Sequence, residues 1–408
     1  MVPKLQELKD LVCSEIELNC EQLISIADQI HTHPEIGHQE FFASKLLTTE
    51  LQKIGFDVKL GIAGMKTAFR ATLVGRSVVP RVAILAEYDA LPDVGHGCGH
   101  NIIGASALGA ALGLSKVMAQ LPGTLLVLGC PAEEEVHNSG GKVVMVENGA
   151  FKNVDAALLI HPHDYTYLRR SSSNARGAIE IEFTSIRKED VYVEDDLRGQ
   201  FISGDNALNA VLVTFNAVNA LRQHLSPDTR INGVITDGGG SPDMIPSHAA
   251  ARFVIKTANR ENLREVVKQL ERCAQAGAQA TNTNVSVRAF RHPFEDMYNL
   301  PSGMKAFKSN LQALGVHVED IGHPGRRNLS DVGNVSHVVP TIYTFIGLGP
   351  KAARPHTVEF RDTAKSKEAH TALMIASKSL AMTAIDLFTD TELMSRMRRE
   401  FEQGHPKS

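Results

Sequence analysis

RVAILAEYDALPDVGHGCGHNIIGASALGAALGLSKVMAQL, residues 81–121, is the stretch whose reading decides the fold. Its first eight residues form an apolar run that ends at Asp89, as a buried strand does. Glycines crowd the next ten positions, so a turn is expected there rather than a regular element. Residues 101–121 are rich in Ala and Gly at helical spacing and read as a helix suited to close packing on a sheet. The alternation continues downstream. GTLLVLGCPAEEE (123–135) reads as a strand, GGKVVMVENGAF (140–151) as a helix and VDAALLIHPH (154–163) as the next strand. Strands alternating with helices predict an α/β, doubly wound and mostly parallel sheet. Ligands gather beyond the carboxyl ends of strands in such sheets. Asp89, Glu133, Glu134 and His161 all belong to such ends, which is the reason to expect them to meet in space.

The texture changes near residue 172. Residues 175–196 alternate like exposed sheet, and 206–225 read as an amphipathic helix. Residues 229–258 read as two strands around a Gly/Pro turn, 261–282 as a second helix and 285–290 as a last strand. Two helices on one antiparallel sheet make a small α+β insert. The doubly wound pattern then resumes, giving a first domain in two parts, 1–171 and 291–408, around an insert at 172–290. The N-terminal 35 residues mix acids and bases on a helical period and lack the apolar core of a signal segment.

The 408 residues are 43% hydrophobic and 22% charged, with a formal charge of −4. That is globular composition, and with no basic block nothing points to nucleic acid. No apolar run approaches the roughly 20 residues of a bilayer span, so no membrane is expected either. Five scattered cysteines are an odd number, for which a reducing compartment, the cytoplasm, is the simpler reading.

Three motifs and two isolated histidines carry the candidate chemistry. GHGCGHN sets Cys98 and His100 two apart in a glycine-rich turn that lets neighbouring side chains converge. CPAEEE sets Glu133 beside Glu134. Neighbours on an extended chain point to opposite sides, so one carboxylate could take a metal while the other faces a substrate. His161 ends an apolar run, and His356 lies in RPHTVEF. Thiolate, imidazole and carboxylate are the donors that zinc prefers, with a spare carboxylate to act as base. His96 and His163 are alternative ligands, and Glu135 reads as solvent-facing or as support behind the ligands. A buried core role competes for Cys98 and His161, and a solvated strand end competes for the two glutamates.

In combination, AEYDALPDVGHGCGHNIIGASALGAALG, GCPAEEE with GGK, VDAALLIHPH, RINGVITDGGGSPDMIPS, SDVGNVSHVVP and RPHTVEF resemble the zinc-dependent aminoacylase and carboxypeptidase superfamily. The match is to its amidohydrolase branch, with auxin-conjugate and aminobenzoyl-glutamate hydrolases, and most of all to cytosolic β-alanyl-lysine-type dipeptidases. It covers roughly residues 20 to 390. The resemblance implies two divalent metal ions, zinc with manganese or cobalt as alternatives. Cys98 would bridge them, and His100, Glu134, His161 and His356 would complete the ligand set. It implies Glu133 as general base, Asp89 as an acid orienting a ligand, and the insert as a lid through which a homodimer forms. The implied substrate is a small amide, an N-acyl compound or dipeptide.

Against that pattern, the lid segment TSIRKEDVYVEDDLRGQFISGD (184–205) contains no histidine where the family carries one that assists catalysis. Asp243 stands where the family has a substrate-holding asparagine, Lys256 where it has a carboxylate-binding arginine, and Asn232 where close relatives have a histidine. Asp in place of Asn sets a negative charge against a substrate carboxylate. Lys in place of Arg loses the bidentate fork. The expectation is therefore altered specificity, with Arg187, Lys188 or Arg198 as substitutes for the missing electrophile. A repurposed biosynthetic enzyme on the same metal scaffold, performing a condensation, cyclisation or carbon–carbon bond step, is the alternative. A non-catalytic, metal-stabilised binding protein is a further one.

Overall fold

The computed structural model describes residues 5–134, 139–169, 173–186, 191–192, 205–319, 329–349 and 352–404. The chain divides into two compact units, Met1–Ser173 with Met297–Ser408, and Asn174–Asp296.

The first unit opens with helices α1 (Leu5–Leu18), α2 (Cys20–Thr32) and α3 (Phe41–Lys53). The N-terminal periodicity therefore belongs to two helices, broken at Asn19, whose side chain turns back onto the Glu15 carbonyl at 2.8 Å. Strands β1 (Asp57–Leu60), β2 (Phe69–Val74) and β3 (Arg81–Glu87) follow, then helix α4 (His100–Ser115). After β4 (Thr124–Cys130) come α5 (Gly141–Glu147) and β5 (Ala156–His163).

The second unit contains β6 (Ala175–Ser185), β7 (Val191–Tyr192), α6 (Ala207–Leu221), β8 (Arg230–Asp237), β9 (Met244–Ile245), β10 (His248–Thr257), α7 (Arg260–Thr281) and β11 (Thr283–Ala289). The chain returns to the first unit with α8 (Pro301–Ala313), α9 (Val332–Ser336), β12 (Thr341–Gly347), α10 (Val358–Thr363), α11 (Lys367–Thr389) and α12 (Thr391–Gly404).

The sheet of the first unit runs in the order β1-β2-β4-β3-β5-β12. Strands β4, β3, β5 and β12 are parallel, while β2 and β1 add an antiparallel edge. Both faces are covered, which is why the parallel strands read as continuous apolar runs. Strand periodicity sorts the faces. Val82, Ile84 and Ala86 of β3 pack toward α1–α4 and α11, and Ala83 and Leu85 toward the opposite core with Met145, Val332 and Val335 of α5 and α9. Every residue of α4 from His100 to Leu114 is buried, against α11, α1 and α2.

Helix α11 corrects one expectation. Its 23 residues are long and apolar enough to span a bilayer, but 78% of its apolar window is buried inside the unit, as in a core helix. Among the described residues no other helix passes that length and composition test.

The second unit is a four-stranded antiparallel sheet, β11-β6-β10-β8, with α6 and α7 against one face. Strand β6 is not exposed sheet as its alternation suggested. It is central, paired to both β11 and β10. Its polar positions are covered by partners. Glu180 pairs with Arg252 at 2.8 Å and with Arg288, and the Arg176 guanidinium lies 4.1 Å over the Phe294 ring.

Candidate metal centre

The parallel strands β3, β4 and β5 end on one edge of the sheet, and the acidic and imidazole side chains gather there. Asp89, two residues past β3, is the hub. Its Oδ1 accepts the His100 Nδ1–H at 2.9 Å, and its Oδ2 accepts the Glu134 backbone N–H at 2.9 Å. One buried carboxylate thus ties β3 to the start of α4 and to the segment after β4. His100 begins α4 because Gly99, at φ +77°, turns the loop into the helix.

The histidine tautomers follow from their acceptors. His100 Nδ1 faces a carboxylate and His161 Nδ1 faces the Pro162 carbonyl at 2.7 Å. Neither oxygen can donate, so each Nδ1 carries the proton and each Nε2 presents a lone pair when the ring is neutral. These Nε2 atoms point inward. Cys98 Sγ lies 3.5 Å from His161 Nε2 and 3.3 Å from His356 Nε2. Glu134 Oε1 is 3.7 Å from His100 Nε2, and its Oε2 is 3.7 Å from His356 Nε2. His356 is exposed, but its backbone is fixed, with φ +70° and its N–H donated to the Gly97 carbonyl at 2.7 Å.

Three overlapping groups have donor atoms all within 4.8 Å of one another: Cys98, His100 and His161; Cys98, Glu134 and His356; and His100, Glu133 and Glu134. Cys98 belongs to two of the groups. Burial, with Glu134 and Glu133 nearby, pushes its thiol well above the ordinary value, so a thiolate there calls for a cation beside it. His100 Nε2 and Glu134 Oε1 are buried with no hydrogen-bond partner. Orphaned buried donors of this kind in a thiol, imidazole and carboxylate setting fit divalent metal ions.

The neighbouring glutamates behave differently from the extended-chain expectation. Ala132 sits at φ +56°, so residues after β4 are not extended. The two carboxylates converge on His100 instead of pointing to opposite sides. Burial, then Glu134, Glu87 and Asp331, push the Glu133 carboxyl well above the usual range. Among the alternatives, His96 is buried with its ring 6.1 Å from that of His31, and His163 hydrogen-bonds to Asp164. Neither joins the donor groups found among the described residues. Glu135, Arg187, Lys188 and Arg198 lie outside the described residues. Asp243, Lys256 and Asn232 belong to the second unit. Asp243 is exposed in a turn, Lys256 lies on β10 between Arg176 and Arg230, and Asn232 is exposed on β8 opposite Val254.

Sequence reasoning missed a buried ionic triad. Lys142, at the start of α5, lies 2.7 Å from Glu87 Oε1, and its Nζ also bonds Asp331 Oδ1. Asp331 Oδ2 accepts the Lys142 backbone N–H at 2.9 Å. All three side chains have no solvent exposure. The available signal was a glutamate and a lysine inside otherwise apolar buried elements, where each demands a partner. Tyr343 of β12, edge-on to His161 at 6.2 Å between ring centroids, was also missed.

Residues 83–374 match the model of peptidase family M20/M25/M40. The chain belongs to this family. Over 98% of its length it is 31% identical to a human Xaa-Arg dipeptidase, of which it covers 92%. It is 26% identical to one of the subunits of the Escherichia coli p-aminobenzoyl-glutamate hydrolase, over 98% of this chain and 96% of that one. Its fold is that of a Bacillus subtilis dinuclear metal-binding peptidase of the same family, with a TM-score of 0.69, 20% identity, and coverage of 91% of this chain and 99% of that one. The branch expected from the motifs is therefore the right one, and the M20 member described here is a metal-dependent peptidase or amidohydrolase.

Proposed function

We propose that this M20 hydrolase cleaves the amide bond of a small N-acyl or dipeptide-like substrate at a centre of two divalent ions, zinc in the first instance. Cys98, His100, Glu134, His161 and His356 would hold them, with Cys98 shared. The observation that carries this reading is the thiol of Cys98 within 3.5 Å of two imidazole Nε2 atoms from distant parts of the chain. When bound, the ions supply a water of lowered pKa and polarise the scissile carbonyl.

The chain's own residues do the rest. Asp89 fixes the His100 tautomer and, through the Glu134 N–H, the path of the acidic segment. Glu133 is the general base. Its surroundings raise its proton affinity, which favours taking a proton from the attacking water and returning it to the leaving nitrogen. The residues of 172–290 act as lid and dimerisation domain, and the enzyme works as a cytoplasmic homodimer. Asp243 and Lys256 favour a substrate without an ordinary α-carboxylate: a cationic compound, an amide or an ester.

The test is elemental analysis of protein purified without added metal, together with product analysis on a panel of amides for wild type and Glu133→Gln. The expected result is about two metal ions per chain and release of amine and acid, lost in the variant. Metal-loaded protein that cleaves no amide would refute the proposed substrate class. Faster turnover of ordinary carboxylate-bearing dipeptides than of the other amides would refute the specificity.

A further inference from the structure

Glu87 closes β3 with no solvent exposure, and none of the roles assigned above uses it. Strand periodicity places it on the face covered by α5 and α9, with Ala83 and Leu85. There its Oε1 meets Lys142 at 2.7 Å. Lys142 already has a full counter-ion in Asp331, which binds both its Nζ and its backbone N–H. A second buried carboxylate therefore brings a surplus negative charge into a site closed to water. An uncompensated buried charge costs several kcal/mol, so a surplus of this kind calls for a cation.

The other carboxylate oxygen shows where that cation belongs. Glu87 Oε2 lies 3.5 Å from His100 Nε2, and neither atom has a hydrogen-bond partner. Because Asp89 holds the proton on His100 Nδ1, a neutral His100 turns a lone pair toward a second acceptor. With a neutral ring these are two acceptors 3.5 Å apart, an arrangement that a cation held by both would resolve. Donors bound to one zinc at about 2.1 Å in tetrahedral geometry are roughly 3.4 Å apart, which is the spacing seen here. We propose that Glu87 is a further carboxylate of the metal centre, offering Oε2 to the ion that His100 holds while Lys142 anchors Oε1. This rests on the dinuclear reading given under Proposed function.

The experiment uses full-length protein stripped of metal and titrated with cobalt(II), in competition with a chelator, for wild type, Glu87→Gln and Glu87→Asp. Cobalt absorption reports the coordination number and the Cys98–cobalt charge-transfer band independently of turnover. In Glu87→Gln one of the two cobalt ions is expected to bind 10- to 100-fold more weakly, with altered d–d bands. The other ion and the charge-transfer band should persist. Glu87→Asp keeps the charge beside Lys142 but withdraws the oxygen by one methylene. It should show the same selective loss, and it decides the matter if Glu87→Gln does not fold. Wild-type affinities and spectra in the folded variants would overturn the inference and leave Glu87 as a counter-ion of Lys142 alone. If the wild type takes up no cobalt, the dinuclear reading falls as well, so the two failures are distinguishable.

Discussion

Replacing Lys142 with methionine keeps most of the side chain's apolar length and removes the buried cation of the Glu87–Lys142–Asp331 triad. At 2.7 Å and an effective dielectric of ~20, the contact with Glu87 alone is worth about 6 kcal/mol of gross attraction. Much of that offsets the desolvation of three ions that have no solvent exposure. The variant keeps that cost for two carboxylates and loses the attraction, and breaking a buried pair from one side typically costs about 3–5 kcal/mol. In calorimetry of the metal-free protein at pH 7.5, Lys142→Met should therefore lower the transition of the first unit by roughly 5–8 °C. The pH dependence fixes the cause. Without the lysine, the folded-state pKa values of Glu87 and Asp331 rise above their unfolded values near 4. The deficit is then largest at neutral pH and shrinks toward pH 5, as protons neutralise the orphaned carboxylates. The triple variant Lys142→Met, Glu87→Gln, Asp331→Asn should recover most of the loss. A loss below about 1 kcal/mol, or one that does not diminish at pH 5, would refute the assignment of Lys142 as the charge on which this side of the sheet depends.

Other substitutions probe the support of the site. Glu40 is buried, accepts the Ala132 and His38 N–H groups at 2.9 Å, and has its pKa raised to about 7 by burial and by Asp89. The folded state thus binds a proton that the unfolded chain releases near 4.5, so stability falls between those pH values. Glu40→Gln should stabilise the protein by roughly 3 kcal/mol at pH 8 and have no such advantage below pH 4.5, as read by denaturation at the two pH values. Asp89→Asn leaves an amide N–H against a donor and should weaken metal binding about 10- to 100-fold in chelator competition. A Cβ at Gly141 would stand 1.8 Å from the Pro131 carbonyl oxygen, so Gly141→Ala must displace the segment carrying Glu133. It should cost upwards of about 3 kcal/mol and most of the amide-hydrolysis rate, and wild-type melting and turnover would show that the segment yields.

The fold was legible because its strands announce themselves twice. An apolar run buried on both faces, followed by a helix of small residues, has few packings other than a doubly wound sheet, and β3, α4, β4, α5 and β5 appear in that order. Element ends were less legible. Helix α4 stops at Ser115, not near residue 121, because a further short turn at Met118–Gln120 intervenes. Cys98, His100 and Glu134 stood out because glycine-rich or strand-end settings are where polar side chains converge. His356 owed its recognition to resemblance alone, since nothing local distinguishes it from the other histidines of the chain.

Glu87 and Lys142 stayed hidden for a physical reason. Local pattern reports the solvent that a residue avoids, whereas a buried ion pair depends on a partner from another element. Glu87 is the last residue of an apolar strand, and Lys142 sits in the first turn of a buried helix. Each looks locally like an error in patterning, and only the sheet's period of two, which turns Glu87 to the α5 face, makes them complementary. Asp89 follows β3 and fixes His100 through Nδ1, while Glu87, two residues earlier on the same strand, faces His100 Nε2. One imidazole is thus held between two carboxylates of a single strand end, one orienting the ring and the other standing beside its free lone pair. If Glu87 joins the metal centre as proposed above, the spacing Glu87-Tyr88-Asp89 would be a metal motif that geometry reveals and residue type does not.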